Sequence, residues 1–513
     1  MVDPARPRLA RRESREEALV SATSGSEGFP GCQSTDLSRR EREVSPMAMI
    51  CGTDCVRTLA DVERDAVRMA EELQARGVGL GDRVLLKAEN SVGYVTALLA
   101  LMHAGASILL VDHRERPETT ERLIDISRVM LCVVDDDAVP ETRVPCVSIY
   151  ELQLAATANI EYVDYLDIEK WRTLPDGLLM CSSGSTGSPK VVVKSGDSFL
   201  RNLERNIDAV GHVSTDVLVP LLPFPHQYGL SMVLIAWLAR CSLVVAPYRR
   251  LDHALRLAEL SGATVFDATP VTYRSMMNIV GRRPALGAVL RGARMLCVGA
   301  APLDAGLVAR YEKEFGHKLL DSYGSTEMGN VAFANLDNTV ACGRAVNGVD
   351  LSILDDDGNA VAAGEIGEIM VRTPDLMAGY LDDEGSLIPV TGEWFPSGDF
   401  GFLDEGANLY VLGRKRAVHR MGYTLHPDII ERKIGDVGVS AKIVALPDER
   451  MGSMLVAFVE DEEHRGAAYW RDRIAEALPA YEMPNRVLVI DRFPVNRNGK
   501  PDSKRLEELA VSA

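Results

Sequence analysis

The pattern of hydrophobic and polar positions predicts an amphipathic helix at the start of the patterned part of the chain. Apolar residues recur there at helical spacing and fall on one face, namely Leu59, Val62, Ala66, Met69, Ala70 and Leu73. Thr58 can accept a hydrogen bond from a free N–H of the first turn, and Gly77 can end the helix. We therefore expect a helix between Thr58 and Gly77.

Short β-type runs then alternate with helical stretches as far as about residue 350. Strands are expected at residues 83–86, 131–134, 243–246 and 295–298, where apolar and β-branched residues follow one another. The longest apolar run, residues 95–111, is interrupted by His, Gly and Ser, and predicts a buried helix leading into a buried strand. This alternation is typical of an α/β architecture with helices packed on sheets.

The chain is expected to divide into three parts, because 513 residues exceed what one hydrophobic core usually supports. Residues 1–48 are predicted to be a disordered leader. Residues 49–413 are predicted to form a large domain of mixed sheets with packed helices, including a β-rich subdomain from about residue 350. Residues 414–513 are predicted to form a small, mobile α+β domain.

The leader differs from the rest in composition. Its first 46 residues are rich in Arg, Glu, Ser, Pro and Gly and show no sustained apolar period, which is typical of disorder. It has neither the apolar core of a secretory signal nor the acid-poor composition of a mitochondrial presequence. Because Met47 and Met49 stand just before the first patterned segment, whether the leader belongs to the native protein stays open.

Charge and cysteine content exclude several kinds of partner. The net charge is −18, from 56 basic and 74 acidic residues, which argues against a nucleic-acid or anionic-membrane partner. The nine cysteines have the spacing of neither a zinc site nor a disulfide framework. We therefore expect reduced thiols and a cytoplasmic protein.

A glycine-rich loop at residues 182–190 is the most informative stretch. It runs Ser-Ser-Gly-Ser-Thr-Gly-Ser-Pro-Lys between two apolar, strand-like runs. Gly184 and Gly187 permit positive φ, so that successive N–H groups can point into one concavity lined by hydroxyls and a lysine. Such a lining suits a polyphosphate. The Walker pattern does not fit, because no Gly-Lys-Ser/Thr ends the loop, and a flexible surface loop is the alternative.

Seven further motifs follow in order and carry a family resemblance. They stand at residues 223–226 with Gly229, 299–302, 321–327, 364–368 with 379–380, 397–399, 413–414 and 498–500. Over roughly residues 55–510 the chain resembles the adenylate-forming superfamily of acyl- and aryl-CoA synthetases, peptide-synthetase adenylation domains and luciferases. The resemblance implies ATP-dependent activation of a carboxylic acid to an acyl-AMP, with release of pyrophosphate. Transfer to a thiol of coenzyme A or of a carrier-protein pantetheine would follow.

The resemblance also implies roles for individual residues around the phosphates. The loop would hold the β- and γ-phosphates through Ser182, Ser183, Gly184, Ser185, Thr186, Gly187 and Lys190. Thr326 would bond a phosphate oxygen, and Glu327 would hold Mg²⁺ together with the hydroxyl of Thr186. Carboxylate and phosphate oxygens are the ligands that this hard cation prefers.

Other motifs would surround the nucleoside and the acid. The adenine pocket would be formed by Gly299, Ala300, Ala301, Pro302, Asp321, Ser322, Tyr323 and Gly324, with Tyr323 stacked on adenine and Asp321 accepting from its amino group. Asp399 would bind the ribose hydroxyls, and Arg414 would add a ribose contact. His226 would border the acyl pocket and the pantetheine tunnel. Lys500 would bridge the substrate carboxylate and the α-phosphate, where a flexible ammonium neutralises charge on both groups. For His226 and Lys500, a packed loop histidine and a solvated turn lysine are the alternatives.

Two departures from the family pattern bear on the acid and the acceptor. The segment after Arg414 is one residue shorter than in many CoA synthetases, with Arg416 at the expected hinge and Lys415 as the alternative, which tilts the acceptor towards a carrier protein. No acidic residue follows Gly229 in residues 230–235, so an α-amino acid is disfavoured and an aryl or aliphatic acid is favoured. An adenylating enzyme with a non-thiol acceptor, or a non-catalytic nucleotide-binding relative, remains an alternative.

Overall fold

The computed structural model describes most of the chain beyond the leader. The described residues are 48–53, 55–136, 138–158, 165–182, 189–303, 305–355, 357–414, 418–420, 423–448, 452–463, 465–479, 482–496 and 500–513. Three sequence predictions therefore lie outside the described residues. They concern the leader, the loop residues Ser183, Gly184, Ser185, Thr186 and Gly187, and the hinge residues Lys415 and Arg416.

Strands and helices alternate through the first two thirds of the chain. The strands are β1 (Met49–Cys51), β2 (Val56–Thr58), β3 (Arg83–Lys87), β4 (Ser107–Leu110), β5 (Leu131–Val134), β6 (Cys146–Ser148), β7 (Leu178–Ser182), β8 (Lys190–Lys194), β9 (Val217–Pro220), β10 (Ser242–Val244), β11 (Val265–Ala268), β12 (Met295–Val298), β13 (Leu319–Ser325), β14 (Gly329–Phe333), β15 (Arg344–Ala345), β16 (Asp350–Leu354), β17 (Gly367–Arg372), β18 (Gly379–Leu381), β19 (Leu387–Pro389), β20 (Phe395–Leu403), β21 (Leu409–Arg414), β22 (Val418–Arg420), β23 (Tyr423–Leu425), β24 (Ala441–Asp448), β25 (Gly452–Glu460) and β26 (Arg486–Ile490). The helices are α1 (Leu59–Ala75), α2 (Val92–Ala104), α3 (Pro117–Ser127), α4 (Ile149–Ala158), α5 (Glu169–Arg172), α6 (Gly196–Val210), α7 (Gln227–Leu238), α8 (Leu251–Leu260), α9 (Pro270–Arg282), α10 (Ala288–Gly292), α11 (Ala305–Phe315), α12 (Pro427–Asp436), α13 (Ala467–Ala475) and α14 (Ser503–Ser512), and a 3₁₀ turn spans Pro284–Gly287.

The first helix forms as its sequence pattern predicts. The Oγ1 atom of Thr58 accepts a hydrogen bond from the N–H of Asp61 at 3.0 Å, while the Asp61 side chain bonds back to Thr58, which makes a capping box. Every apolar residue named for this helix is buried. The helix expected between Thr58 and Gly77 is therefore confirmed.

Two large sheets enclose the main hydrophobic core. One has nine strands in the order β15-β14-β13-β12-β11-β9-β10-β1-β2, and the other has eight in the order β19-β18-β8-β7-β4-β3-β5-β6. The core between them draws on both sheets and on α1, α2, α6 and α7. Because α2 and α7 are covered on several sides, nearly all their residues are buried, which explains why they are apolar around most of their circumference. The predicted α/β class with mixed sheets is confirmed.

The β-rich stretch after residue 350 does not stay together as one sheet. A four-stranded antiparallel sheet takes the order β16-β17-β20-β21, but β18 pairs with β8 of the eight-stranded sheet, placing Tyr380 opposite Val192. The hydrophobic pattern cannot show this, because an exposed strand edge accepts any extended segment that reaches it. This pairing brings Tyr380 beside the strand that follows the glycine-rich loop.

The last hundred residues build a separate small sheet. Strands β24, β25 and β26 pair in that order, with the core on one face drawn from α12 and α13 and the core on the other face from α14. Contacts cross to the earlier part of the chain, since Arg274 Nη1 donates to Ser440 Oγ at 3.0 Å. The boundary expected at Arg414 stays a prediction. Among the described helices, none has the length and apolar character needed to cross a membrane.

Gly229 allows α7 to pack closely on the loop that precedes it. A Cβ atom at this position would lie 2.1 Å from the carbonyl oxygen of Pro223, far inside van der Waals contact. We expect Gly229→Ala to lower the free energy of unfolding by about 1–3 kcal/mol, the usual cost of overpacking, measured by urea or thermal unfolding. The matched control is Gly281→Ala in α9, where a Cβ meets nothing within 4 Å and alanine favours the helix. Equal losses in the two variants would contradict this account of the loop.

Candidate active site

The two strands around the glycine-rich loop form a hairpin that fixes both of its ends. Strands β7 and β8 pair antiparallel, with Ser182 opposite Lys190. Lys190 is exposed, and its ammonium lies 5.0 Å from the centroid of the Tyr380 ring. Of the predicted phosphate-binding residues in this loop, the structure thus places Ser182 and Lys190 opposite each other, where the strands meet the loop.

Thr326 and Glu327 lie at the tip of a second hairpin, between β13 and β14. Its strands pair closely, since a Cβ on Gly324 would lie 2.4 Å from the carbonyl oxygen of Gly329. The Glu327 carboxylate accepts a hydrogen bond from the Tyr380 hydroxyl at 3.2 Å. Through Tyr380, the two predicted phosphate-binding segments therefore meet at the same place.

Asp399 contacts two other predicted nucleotide-binding residues. Its Oδ2 atom accepts from the Tyr323 hydroxyl at 2.7 Å, and its Oδ1 atom lies 3.2 Å from Arg414 Nε. Strands β20 and β21 pair Asp399 with Arg414 directly, and Arg414 Nη1 also donates to the Ser397 carbonyl. Burial raises the pKa of Asp399, while the Arg414 charge, the Tyr323 hydrogen bond and the Lys500 charge act to lower it.

Lys500 reaches this cluster from the end of the chain. Its loop is held by two bonds with Asn496, one from the Lys500 N–H to Asn496 Oδ1 at 3.0 Å and one from the Asn496 N–H to the Lys500 carbonyl at 2.7 Å. The residue keeps solvent access, yet its ammonium lies among protein groups. Burial and the Arg414 charge lower the pKa of Lys500, and the charges of Asp399 and Glu327 oppose that shift. Lys500 therefore lies within electrostatic range of Arg414, Asp399 and Glu327.

The predicted adenine residues lie where β12 ends beside the parallel strand β13. Strands β12 and β13 pair Val298 with Asp321, and the carboxyl ends of parallel strands are a common ligand site. A Cβ on Gly299 would lie 2.5 Å from Ser322 Oγ, and Ala300 has a φ of 69°. A left-handed conformation is uncommon for alanine and marks strain in this loop. Ala301 and Pro302 continue it.

Both carboxylate oxygens of Asp321 accept a hydrogen bond. Oδ1 accepts from the N–H of Ser322 at 2.9 Å, and Oδ2 accepts from the Cys342 thiol at 3.4 Å. Burial raises the pKa of Asp321 to about 7, and these two bonds only partly oppose it. The carboxyl is thus poised to change charge near neutral pH.

His226 stands at the start of α7 and contacts a buried acid that sequence reasoning missed. Its Nε2 atom lies 3.4 Å from Asp112 Oδ2, and the Arg114 N–H donates to Asp112 Oδ1 at 2.9 Å. Burial by itself would raise the pKa of Asp112, but the His226 contact and the Arg114 hydrogen bond outweigh it and leave this pKa below its ordinary value. An acid two residues after the buried strand Ser107–Leu110 was the available signal.

Two more buried polar residues were also missed. Asp267, on β11, accepts from the Tyr228 hydroxyl at 3.0 Å, and burial raises its pKa to about 7. Lys194, the last residue of β8, is fully buried, and burial lowers its pKa to about 8 against the opposing charges of Asp375 and Glu327. The signal that could have identified both residues is a charged side chain next to a run of buried apolar residues in a strand.

A cavity of about 450 Å³ opens beside the loop that carries His226. It is lined by Leu221, Leu222 and Pro223 from that loop, by Arg114, Tyr248, Arg249 and Leu251, by Thr269, Val271, Thr272 and Ser275, and by Val495 and Asn496. The last two belong to the loop of Lys500. The cavity therefore lies between the His226 loop and the Lys500 loop, with two arginines in its wall.

The donor set suits a magnesium ion that arrives with a nucleotide. In the part of the chain that the structure describes, no group of three or more His, Cys, Asp or Glu side chains could hold a metal ion alone. Glu327 offers one carboxylate at the hairpin tip, next to the predicted phosphate site. Mg²⁺ is commonly held by one or two carboxylates together with substrate phosphates and water, and Glu327 fits that role.

The raised pKa of Asp321 predicts a pH-dependent stability. Between about pH 4 and pH 7 the folded protein keeps a proton that the unfolded chain has lost, so the free energy of unfolding falls as the pH rises and levels off above pH 7. Asp321→Asn removes this titration and keeps an acceptor oxygen. We expect the melting temperature of the variant, relative to wild type, to rise between about pH 5 and about pH 8. The exposed Asp337→Asn is the control, and a difference that does not depend on pH would contradict the prediction.

Comparison with known proteins identifies the family of the chain. Residues 39–381 match the family model described as AMP-binding enzyme, and residues 437–500 match the AMP-binding enzyme C-terminal domain. The chain is 28% identical over 483 residues to 4-coumarate–CoA ligase 3 of Oryza sativa subsp. japonica, a match that covers 86% of this chain and 85% of that protein. It is 27% identical over 489 residues to naringenin synthase of Pestalotiopsis fici, covering 88% of this chain but 18% of that much longer protein.

A solved structure is similar over nearly the whole length of both chains. The ATP-bound RpMatB-BxBclM chimera B3 is 25% identical, with a TM-score of 0.78 and coverage of 91% of this chain and 96% of that chain. The family predicted from the motifs is confirmed. The chain belongs to the AMP-binding enzyme family within the adenylate-forming superfamily, and it is an ATP-dependent ligase of the acyl-CoA synthetase type that activates a carboxylic acid as its adenylate and transfers the acyl group to a thiol.

Proposed function

We propose that this ligase activates an aryl or aliphatic acid and passes the acyl group to coenzyme A in the cytoplasm. The observation that carries the proposal is that the charges of Asp399, Arg414 and Glu327 all act on Lys500, while Asp399 pairs directly with Arg414. These residues come from distant parts of the chain. A lysine that neutralises charge on the carboxylate and the α-phosphate would be expected among such groups.

In the first step, a carboxylate oxygen of the acid attacks the α-phosphorus of ATP, and pyrophosphate leaves. Both partners are negatively charged, so the step needs cations and N–H donors more than it needs an acid or a base. Lys500 holds the carboxylate and the α-phosphate together and neutralises charge on both. Asp399 and Arg414 hold the ribose, and Asp321 and Tyr323 hold the adenine with the loop of residues 299–302.

The phosphates lie over the two hairpins. Ser182 and Lys190 stand at one end of the phosphate site, and Thr326 stands at the other. Mg²⁺, when bound at Glu327, supplies positive charge that stabilises the leaving pyrophosphate. The Tyr380 hydroxyl keeps the Glu327 carboxylate turned towards this place.

In the second step, the thiol attacks the acyl carbonyl carbon and AMP leaves. The cavity beside His226 is the proposed entry for the acceptor. Its arginines, Arg114 and Arg249, can pair with phosphate groups, and its threonine and serine hydroxyls can hydrogen-bond an extended polar chain. Asp112 contacts the His226 ring at 3.4 Å, and the loop that leads to His226 lines this cavity through Leu221, Leu222 and Pro223.

Coenzyme A is favoured over a carrier protein for two reasons. The similar 4-coumarate–CoA ligase is named for this acceptor, and the cationic cavity wall suits its phosphates. The short hinge segment favours a carrier protein, and its residues Lys415 and Arg416 lie outside the described part. The absence of an acid in residues 230–235 continues to disfavour α-amino acid substrates.

A substrate panel tests the proposal directly. Pyrophosphate release is measured over aryl, short-chain and medium-chain acids, each with no acceptor, with coenzyme A or with a pantetheinylated carrier protein. We expect acid-dependent release and an acyl-CoA product. Release without any thioester would support the non-thiol alternative, and acyl-carrier product alone would support the carrier protein. No release with any acid would support a nucleotide-binding protein without turnover.

Lys500→Ala separates the two half-reactions. We expect acyl-AMP formation to fall about 10² to 10³-fold, because one preorganised charge contact to the transition state is lost. Transfer from chemically prepared acyl-AMP to the thiol should stay near the wild-type rate, provided that the small domain rotates and carries Lys500 out of the cleft for that step. Both rates are measured with the acid identified in the panel.

The matched control is Lys504→Ala, which removes an exposed lysine from α14, and it should leave both rates unchanged. Equal losses in both half-reactions of Lys500→Ala would indicate a small domain that stays fixed. Retained acyl-AMP formation would remove Lys500 from the catalytic site.

A further inference from the structure

Lys194 is a buried cation in a place where the strand pattern calls for an apolar residue. It ends β8 directly after three valines, and its side chain has no solvent exposure. Burying an ammonium ion costs several kcal/mol unless nearby groups compensate it. A lysine at this position therefore needs a specific set of partners.

Its partners are the main chain of the two residues assigned to phosphate and metal. The ammonium donates to the Thr326 carbonyl at 3.2 Å and to the Glu327 carbonyl at 3.3 Å. The Glu327 carbonyl also accepts from the Met377 N–H at 2.8 Å. The peptide behind the Glu327 carboxylate is thus held from two sides.

Buried charges behind Lys194 compensate its own. Asp375 is fully buried, forms an ion pair with Arg205, and accepts from Asn202 Nδ2 at 3.2 Å. The charges of Asp375 and Glu327 both act on Lys194 in the direction that favours the ammonium. The segment with Asp375 is fastened to β8, because the Ala378 N–H donates to the Val193 carbonyl at 2.8 Å.

We propose that Lys194 is a positioning residue for the phosphate- and metal-binding turn at Thr326 and Glu327. It ties both carbonyls to the end of β8, the strand that follows the glycine-rich loop, and so sets the distance between the two phosphate-binding segments. Shifts of well under 1 Å in such groups change binding and rate strongly. The inference rests on the proposed roles of Thr326 and Glu327 and does not depend on which acid or acceptor is used.

Two variants separate the hydrogen bonds of Lys194 from its charge. Lys194→Met removes both in a side chain of similar length, whereas Lys194→Gln removes the charge but keeps N–H donors, on a side chain that is one atom shorter. The matched control is Lys87→Met, since Lys87 is also a buried lysine that ends a strand and donates to a carbonyl, that of Ala138 at 3.3 Å. Lys87 belongs to β3, and none of the nucleotide motifs includes it.

The readout is ligand binding by calorimetry, so no acid substrate is needed. Affinity is measured for ATP with Mg²⁺, for ATP without Mg²⁺ and for AMP, which lacks the β- and γ-phosphates. We expect Lys194→Met to weaken Mg²⁺-dependent ATP binding about ten- to hundredfold, as for other residues that hold a metal ligand in place. Lys194→Gln should weaken it less, and AMP affinity should change less than about twofold in both variants. Lys87→Met should leave all three affinities unchanged.

Several results would overturn the proposal. One is a folded Lys194→Met variant that binds ATP and Mg²⁺ like wild type. Equal weakening of AMP and Mg²⁺-dependent ATP binding would show a general disturbance of the site. If Lys194→Met does not fold, Lys194→Gln decides by the same comparison, and loss of folding in both variants would make Lys194 a folding residue only. Wild-type protein that fails to bind ATP with Mg²⁺ would instead contradict the proposed function.

Discussion

The Asp399 carboxylate is the contact on which the arrangement of the cleft depends. One of its oxygens accepts from Tyr323 and the other faces Arg414, while the charge of Lys500 acts on it from the last loop of the chain. Asp399 is buried, and a buried carboxylate is costly unless it is paired and hydrogen-bonded. The need to compensate the Asp399 charge therefore links the β13–β14 hairpin, the four-stranded sheet and the C-terminal loop.

The large sheets provide the rigid frame that this contact needs. Their strands lead to the site. Strand β12 ends at the predicted adenine loop, β13 ends at the turn of Thr326 and Glu327, and β4 ends two residues before Asp112. Strands β7 and β8 flank the glycine-rich loop. The core that packs α2 and α7 between the sheets also fixes the position of His226, because this residue directly precedes α7. Catalysis of a reaction between two anions requires charges that are already in position, because reorganising them during the reaction would add to the barrier.

Buried charges recur behind the site and stabilise its loops. Lys194, Asp375 and Asp112 are all buried within a strand or loop that leads to a proposed binding residue. Removing one member of such a set leaves its partners uncompensated. Each set therefore holds its loop in one arrangement, which fits the need for fixed distances between the phosphates, the metal and the acid.

The sequence by itself determined the α/β class, the helix at residues 59–75, the family and most residues that gather in the cleft, because periodicity and local motifs depend only on neighbours along the chain. Only the tertiary structure decided that β18 joins the eight-stranded sheet and brings Tyr380 to Glu327. It also revealed Asp112 beside His226 and Lys194 behind Glu327. These contacts join residues that are far apart in the chain. From the sequence alone, a buried charged residue with a specific partner cannot be told from a charged residue on the surface. Which side chains interact depends on their distance in the folded structure, and the order of residues along the chain does not give that distance.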